Sequence, residues 1–153
     1  MIRKSFFKKF PNPSNAVCAI IRNKSKILLQ KRDNKKNIFF PNHYGLFGGA
    51  IEKGENSKTA LKRELREEIG LNFSLNRFEL LNKMFLDFSP VINKKFNRSF
   101  YLLDLNDTEK NKLILGEGSD MNWFNPLYAY NNLKITPYDA YVICLYIYKE
   151  IKC

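Results

Sequence analysis

The stretch from Gly48 to Leu71, GGAIEKGENSKTALKRELREEIGL, holds five of the 15 acidic residues in a chain whose formal net charge is +11, namely Glu52, Glu55, Glu64, Glu67 and Glu68. Asn56 and Ser57 are both good N-caps, Ala60, Leu61 and Leu65 follow at helical spacing, and Gly70 supplies a stop. A helix of about three turns is therefore expected to begin near Ser57. At about 100° per residue, Leu61, Leu65 and Ile69 form one stripe, Lys62, Arg63 and Arg66 a second, and Glu64, Glu67 and Glu68 a third. Glu64 stands three residues before Glu67 and four before Glu68, so like charges repel along one face. A helix selected for stability alone would alternate signs there, and a bound cation would remove the repulsion. With several carboxylates and neither Cys nor His in the stretch, the implied ion is hard and oxygen-preferring: Mg²⁺, with Mn²⁺ as a substitute, rather than Zn²⁺. Mg²⁺ in turn suggests phosphate chemistry.

Written as a pattern, the segment is Gly49, five residues, Glu55, seven residues, then Arg63-Glu64-Leu65-Arg66-Glu67-Glu68-Ile69-Gly70-Leu71. This resembles the Nudix box, with every defining position filled. The resemblance implies a loop, helix, loop unit that holds divalent metal against a diphosphate. It makes Glu64, Glu67 and Glu68 metal ligands together with the backbone carbonyl of Gly48. It places Glu55 at the helix entrance, as a ligand through water or as a partner of Arg63, whose guanidinium would hold a box carboxylate in place. Phe47 stands where many Nudix proteins carry proline, a departure that leaves the Gly48 carbonyl available.

The chain reads as one domain over residues 1–153, with the box at 49–71. Its hydrophobic content of 44%, with 13 Phe and 8 Tyr, is ample for a core. Twenty-six Lys and Arg favour anionic partners, of which a small nucleotide is expected first. The charge is spread in small groups, at Arg3 and Lys4, Lys8 and Lys9, Lys31 to Lys36, and Lys94, Lys95 and Arg98. A solvated basic surface is thus preferred over a nucleic-acid stripe. Cys18, Cys144 and Cys153 lack metal-ligand spacing, and an odd count without a secretory signal reads as free thiols in a cytoplasmic protein. The N-terminal MIRKSFFKKFPNPSN has no apolar run long enough for a signal peptide, and no segment is long enough to span a membrane. Oligomeric state is not legible.

After turn signals at Pro11 to Asn15, Ala16 to Ile21 and Lys26 to Gln30 read as a hairpin. Arg32 lies just past its second strand, within reach of substrate phosphates in the implied fold. Asn34 to His43 reads as a loop with an apolar patch at Ile38 to Pro41, and His43 as structural. Phe78 to Phe88, Phe100 to Leu105, Leu113 to Leu115 and Met121 to Phe124 have strand-like composition. Between the last two lies Gly116-Glu117-Gly118-Ser119-Asp120, read as a loop free to move when substrate arrives. A glutamate in a comparable loop of MutT-like proteins completes the metal site or acts as base, so Glu117 is the candidate and Asp120 its rival. Thr136, Pro137 and Asp139 supply an N-cap, a proline at the first helical position and an acid at the third for a helix running to about Lys152. Some Nudix proteins read the substrate base there, which makes Tyr138 and Asp139 candidates, although capping explains Asp139 equally well.

The expected fold is an α+β sandwich, with a mixed sheet between the box helix and the C-terminal helix. The implied activity is Mg²⁺-dependent hydrolysis of the pyrophosphate bond in a nucleoside diphosphate linked to a group X, with Glu64 or Glu117 as general base. A nucleoside triphosphate is the first expectation, then a nucleotide sugar, then the 5′ end of RNA. The alternative class, a Nudix-fold module that binds nucleotide without cleaving it, is opposed by the intact Glu64, Glu67 and Glu68.

Overall fold

In a computed structural model, which describes residues 14–35, 38 and 40–152, the apolar run that opens the domain is buried on both faces. The basic residues at 3, 4, 8, 9 and 36, the turn residues before Ser14, Phe39 of the apolar patch and Cys153 lie outside the described residues. Strand β1 (Ala16–Asn23) turns through Lys24, which takes a positive φ of 54°, into β2 (Lys26–Lys31). The hairpin is closed only at its turn, where Ile21 to Asn23 face Lys26 to Leu28. Beyond it the strands part, and the segment Tyr44 to Ala50 enters the opening. Its first part, β3 (Tyr44–Gly45), pairs with β2, and its second, β4 (Phe47–Ala50), pairs with β1.

The box follows as helix α1 (Ser57–Ile69). Asn56 is its N-cap, accepting from the Thr59 amide while the Thr59 hydroxyl accepts from the Asn56 amide, and Gly70 ends it at φ 74°. A 3₁₀ turn at Leu75–Arg77 leads to β5 (Glu79–Asp87), one turn of helix α2 (Ser89–Ile92) and β6 (Lys95–Asp104). Strand β6 runs parallel to β1 and antiparallel to β5, which makes the sheet mixed, as expected. Then come α3 (Asp107–Lys110), β7 (Asp120–Phe124) against β2, α4 (Pro126–Asn132) and α5 (Pro137–Lys152). Asn106 with Glu109 forms a capping box that opens α3, and Asn125 with Pro126 opens α4.

Leu113 to Leu115 do not form the expected strand. Their backbone is used elsewhere: Ile114 donates its amide to the Ile69 carbonyl and Gly116 to that of Glu68, satisfying carbonyls that the end of α1 leaves without helical partners. Strand-forming side chains at Leu113 and Leu115 instead pack on the α1 side of the core.

Alternation along β1 divides that core. Val17, Ala19 and Ile21 meet Leu61, Leu65 and Ile69 of α1, while Cys18 and Ile20 meet Val142, Ile143 and Tyr146 of α5. A central strand covered on both faces reads as a continuous apolar run, which is why Ala16 to Ile21 lacks a polar face. Each fully buried Leu or Ile contributes about 1.5–3 kcal/mol, so the α1 stripe ties the box firmly to the sheet.

Candidate active site

Where β1 and β2 part, the molecule has a cleft of about 700 Å³, with Glu64, Glu68 and Glu117 among the residues lining it. Glu68 reaches from α1 into the opening itself. Its Oε2 accepts from the Gly48 amide at 2.7 Å and its Oε1 from Gln30 Nε2 at 3.2 Å, so one carboxylate bridges β4 and β2. Gln30 Nε2 also donates to the Leu46 carbonyl at 3.3 Å. Glu68 is 5% exposed. Burial pushes its carboxyl up to about 8, against the two hydrogen bonds and with help from the charges of Glu64 and Glu117.

Glu64, one turn earlier, lies under Gly49, where an added Cβ would sit 2.6 Å from its carboxylate. Gly48 has φ +133° and leaves no room for a side chain against the Val17 carbonyl. The glycine pair therefore lets two carboxylates approach the backbone. Burial also raises the Glu64 carboxyl above its ordinary value, against Arg63, which donates to it at 2.8 Å.

Arg63 organises the entrance of the helix. It donates to both oxygens of Glu55, at 2.9 and 3.0 Å, and to the Ala50 carbonyl at 3.0 Å. Its hydrogen bonds hold the Glu55 carboxyl down at about 2. Glu67 is not brought into the cleft: its side chain is 49% exposed and lies 3.5 Å from Arg63. Glu117 is brought in, by a loop tied at two points: Gly116 donates to the Glu68 carbonyl at 2.7 Å and Ser119 to the Lys31 carbonyl at 2.9 Å. The loop is thus anchored to α1 and β2, where the sequence reads as a loop free to move. Asp120 lies in β7, accepts from Asn122 Nδ2 at 2.7 Å and does not line the cleft.

Arg32, Arg98, Tyr138 and Asp139 line the same cleft. The Thr136 amide donates to the Tyr44 carbonyl, so Asp139 does not close a capping box. Its Oδ2 accepts instead from the Leu46 amide at 3.1 Å and the Thr136 hydroxyl at 2.6 Å. Burial raises its carboxyl above the ordinary value, against those bonds and the charges of Arg98 and Arg32. The Arg98 guanidinium lies 4.7 Å from the centre of the Tyr138 ring. His43, by contrast, stays outside, its Nδ1 2.9 Å from the Pro41 carbonyl.

Gln30 and Arg98 escape sequence reasoning. Gln30 ends an apolar strand, and a polar residue inside the run LLQK was the available signal. Arg98 reads as one of a surface basic group with Lys94 and Lys95, and only the parallel pairing of Arg98 with Ala16 brings it to the cleft.

Among the described residues, no three His, Cys, Asp or Glu side chains stand close enough to enclose a metal ion as they are. Arg63 holds Glu64, and Gln30 and the Gly48 amide hold Glu68. The donor chemistry nevertheless fits a divalent cation, because three carboxylates share a cleft in which burial first, and neighbouring carboxylates second, raise Glu64 and Glu68.

The family model described as NUDIX domain matches residues 12–146. The chain belongs to the NUDIX family. A curated relative, nucleoside triphosphatase NudI of Enterobacter sp. (strain 638), is 44% identical over 54 residues, 35% of this chain and 38% of that protein. NudI of Escherichia coli O139:H28 is 43% identical over the same shares. The alignment thus spans well under half the length of these relatives. Two solved structures carry the same fold over most of the chain. The E. coli ORF135 protein has TM-score 0.69 at 23% identity, covering 88% of each chain. The MutT NUDIX hydrolase from Burkholderia pseudomallei has TM-score 0.67 at 22% identity, covering 88% of this chain and 98% of its own. No helix among the described residues is long and apolar enough to cross a membrane.

Proposed function

We propose that this NUDIX protein is a cytoplasmic single-domain enzyme that hydrolyses the pyrophosphate bond of a nucleoside diphosphate linked to a group X, with nucleoside triphosphates as first substrate. The observation that carries the reading is the meeting of Glu64, Glu68 and Glu117 in one cleft whose rim also bears Arg32 and Lys35. Carboxylates that share a cleft, one of them buried, favour positive charge between them, and the basic rim suits the polyphosphate that would accompany it. The local likeness to NudI supports triphosphates over other forms of X.

Glu64 and Glu68, with the Gly48 carbonyl, would hold Mg²⁺ or Mn²⁺, and Glu67 would join them by turning away from Arg63. Bound divalent ions supply charge against the diphosphate and make a water easier to deprotonate. Glu64, or alternatively Glu117, takes the proton from the attacking water, while Arg63 keeps Glu64 in place through its grip on Glu55 and Ala50. Arg32 and Lys35 steady the phosphates from the rim.

The test is a screen of nucleoside triphosphates, nucleotide sugars, dinucleoside polyphosphates and triphosphorylated RNA in Mg²⁺ and in Mn²⁺. Release of pyrophosphate or phosphate from a triphosphate supports the reading. Tight nucleotide binding without turnover in either metal overturns it in favour of a binding module.

A further inference from the structure

We propose that Gln30 is a positioning residue for the metal site, one that holds the Glu68 carboxylate ready for a divalent cation and so sets the affinity for that ion. The inference rests on the metal-dependent reading above and adds to it a residue outside the box.

Gln30 interrupts an apolar strand. Alternation along β2 puts it on the same face as Leu28, which packs on the α1 side of the core, so an aliphatic side chain there would extend that half. The position holds a primary amide instead, 5% exposed. Burying an amide forfeits its hydration, and the loss is offset only where its hydrogen bonds are made. The backbone of Gln30 is paired on both sides, with Gly45 of β3 and Met121 of β7, so its side chain starts from a fixed point.

The Nε2 atom carries two protons, and each has an acceptor. One acceptor is the Leu46 carbonyl at 3.3 Å, at the residue where the chain leaves β3 for β4. Closing that carbonyl is a structural task and needs a single proton. The second proton goes to Glu68 Oε1 at 3.2 Å, while the Gly48 amide donates to Oε2 at 2.7 Å. With one oxygen held from β2 and the other from β4, the carboxylate cannot turn about its last bond without breaking a hydrogen bond. Each donor uses one lone pair, which leaves another on each oxygen for a cation. A glutamate ordinarily loses rotamer freedom when it takes an ion, and here that freedom is already lost before the ion arrives. The loop carrying Glu117 confines the same amide: a Cβ at Gly118 would lie 3.1 Å from Gln30 Oε1, so glycine lets the loop seat against it.

The test is a double-mutant cycle read by calorimetry of Mn²⁺ binding to the full chain, with thermal melts in EDTA beside it. Gln30→Met keeps the length of the side chain and removes both protons. It should weaken Mn²⁺ binding by roughly 10-fold or more in the wild-type background. In Glu68→Gln, which has no carboxylate left to position, the same change should leave the remaining Mn²⁺ affinity within about twofold. In turnover, the loss should appear in the Mn²⁺ concentration needed for half-maximal rate, with kcat at saturating Mn²⁺ and KM for the triphosphate little changed. If Gln30→Met does not fold, Gln30→Asn, which keeps an amide but falls one methylene short of Glu68, should show the same loss. A role through Leu46 alone would lower the melting temperature equally in both backgrounds and leave Mn²⁺ affinity unchanged, and that result overturns the proposal. Equal weakening of Mn²⁺ binding in both backgrounds, or no Mn²⁺ binding by wild type, overturns it too. Mn²⁺ binding that depends on Gln30 in a chain that releases no phosphate or pyrophosphate upholds it and overturns the hydrolase reading. Turnover that needs Mn²⁺, with an affinity indifferent to Gln30, does the reverse.

Discussion

Glu68→Gln should make the metal-free protein less stable in mild acid and more stable in mild alkali, with the two stability curves crossing. Glu68 has its carboxyl raised from 4.5 to about 8 by burial in the opening between β2 and β4. A carboxyl raised on folding favours the folded state when protonated, so its contribution is complete below 4.5 and is lost as pH rises through about 8. At about 1.4 kcal/mol per pH unit, the interval amounts to at most about 5 kcal/mol. Glutamine removes that pH dependence but sets an amide N–H against either the Gly48 amide or the Gln30 side chain, at a cost of about 2 kcal/mol. The variant should therefore be less stable by about 1 kcal/mol near pH 5, equal near pH 6, and more stable by up to about 3 kcal/mol near pH 9. For a chain of this length, 1 kcal/mol corresponds to about 3 °C, so the alkaline gain should approach about 9 °C in Tm. The assay is a series of thermal melts in EDTA across that range. A difference between the proteins that stays constant with pH would refute the reasoning, since it would mean that Glu68 does not titrate on its own account in the cleft.

Activity should vanish in EDTA and return with Mg²⁺ or Mn²⁺ without Zn²⁺, because every proposed ligand is oxygen; full turnover in chelator would sink this. Glu64→Gln should lower kcat by roughly 10²-fold or more with little change in KM, Glu117→Gln should be milder, and Asp120→Asn mildest. Steady-state kinetics at saturating Mg²⁺ would assign the base to Glu117 if that variant were the more damaged. Arg63→Lys, which keeps the charge but loses the two-pronged contact with Glu55, should cost roughly 10-fold in kcat with the melting temperature little changed, and wild-type kinetics in that variant would deny Arg63 its positioning role.

Much of this architecture is legible in residues that act locally. Asn56, Thr59 and Gly70 mark the ends of α1, Pro137 starts α5, and the run Ala16 to Ile21 announces a strand buried on both faces. In each case the determining contacts lie within a few residues, or the alternation alone states the surroundings. Leu113 to Leu115 misled because strand propensity is decided by which backbone groups are near, and here the carbonyls at the end of α1 were nearer than another strand.

The sequence by itself determined that this chain carries a NUDIX box and that Glu64, Glu67 and Glu68 follow one another at i, i+3 and i+4 along its helix, the pattern from which an oxygen-preferring cation is expected. Only the tertiary structure decided which of them meet. The opening between β1 and β2 admits the line of α1 on which Glu64 and Glu68 stand, and leaves Glu67 facing Arg63 and solvent. It brings Glu117 to them by hanging its loop on the Glu68 and Lys31 carbonyls, and Arg98 to Asp139 by the parallel pairing of β6 with β1. Helical periodicity is a local property and can be read along the chain, whereas the partners of a buried charge are set by whichever distant segments the sheet register places beside it.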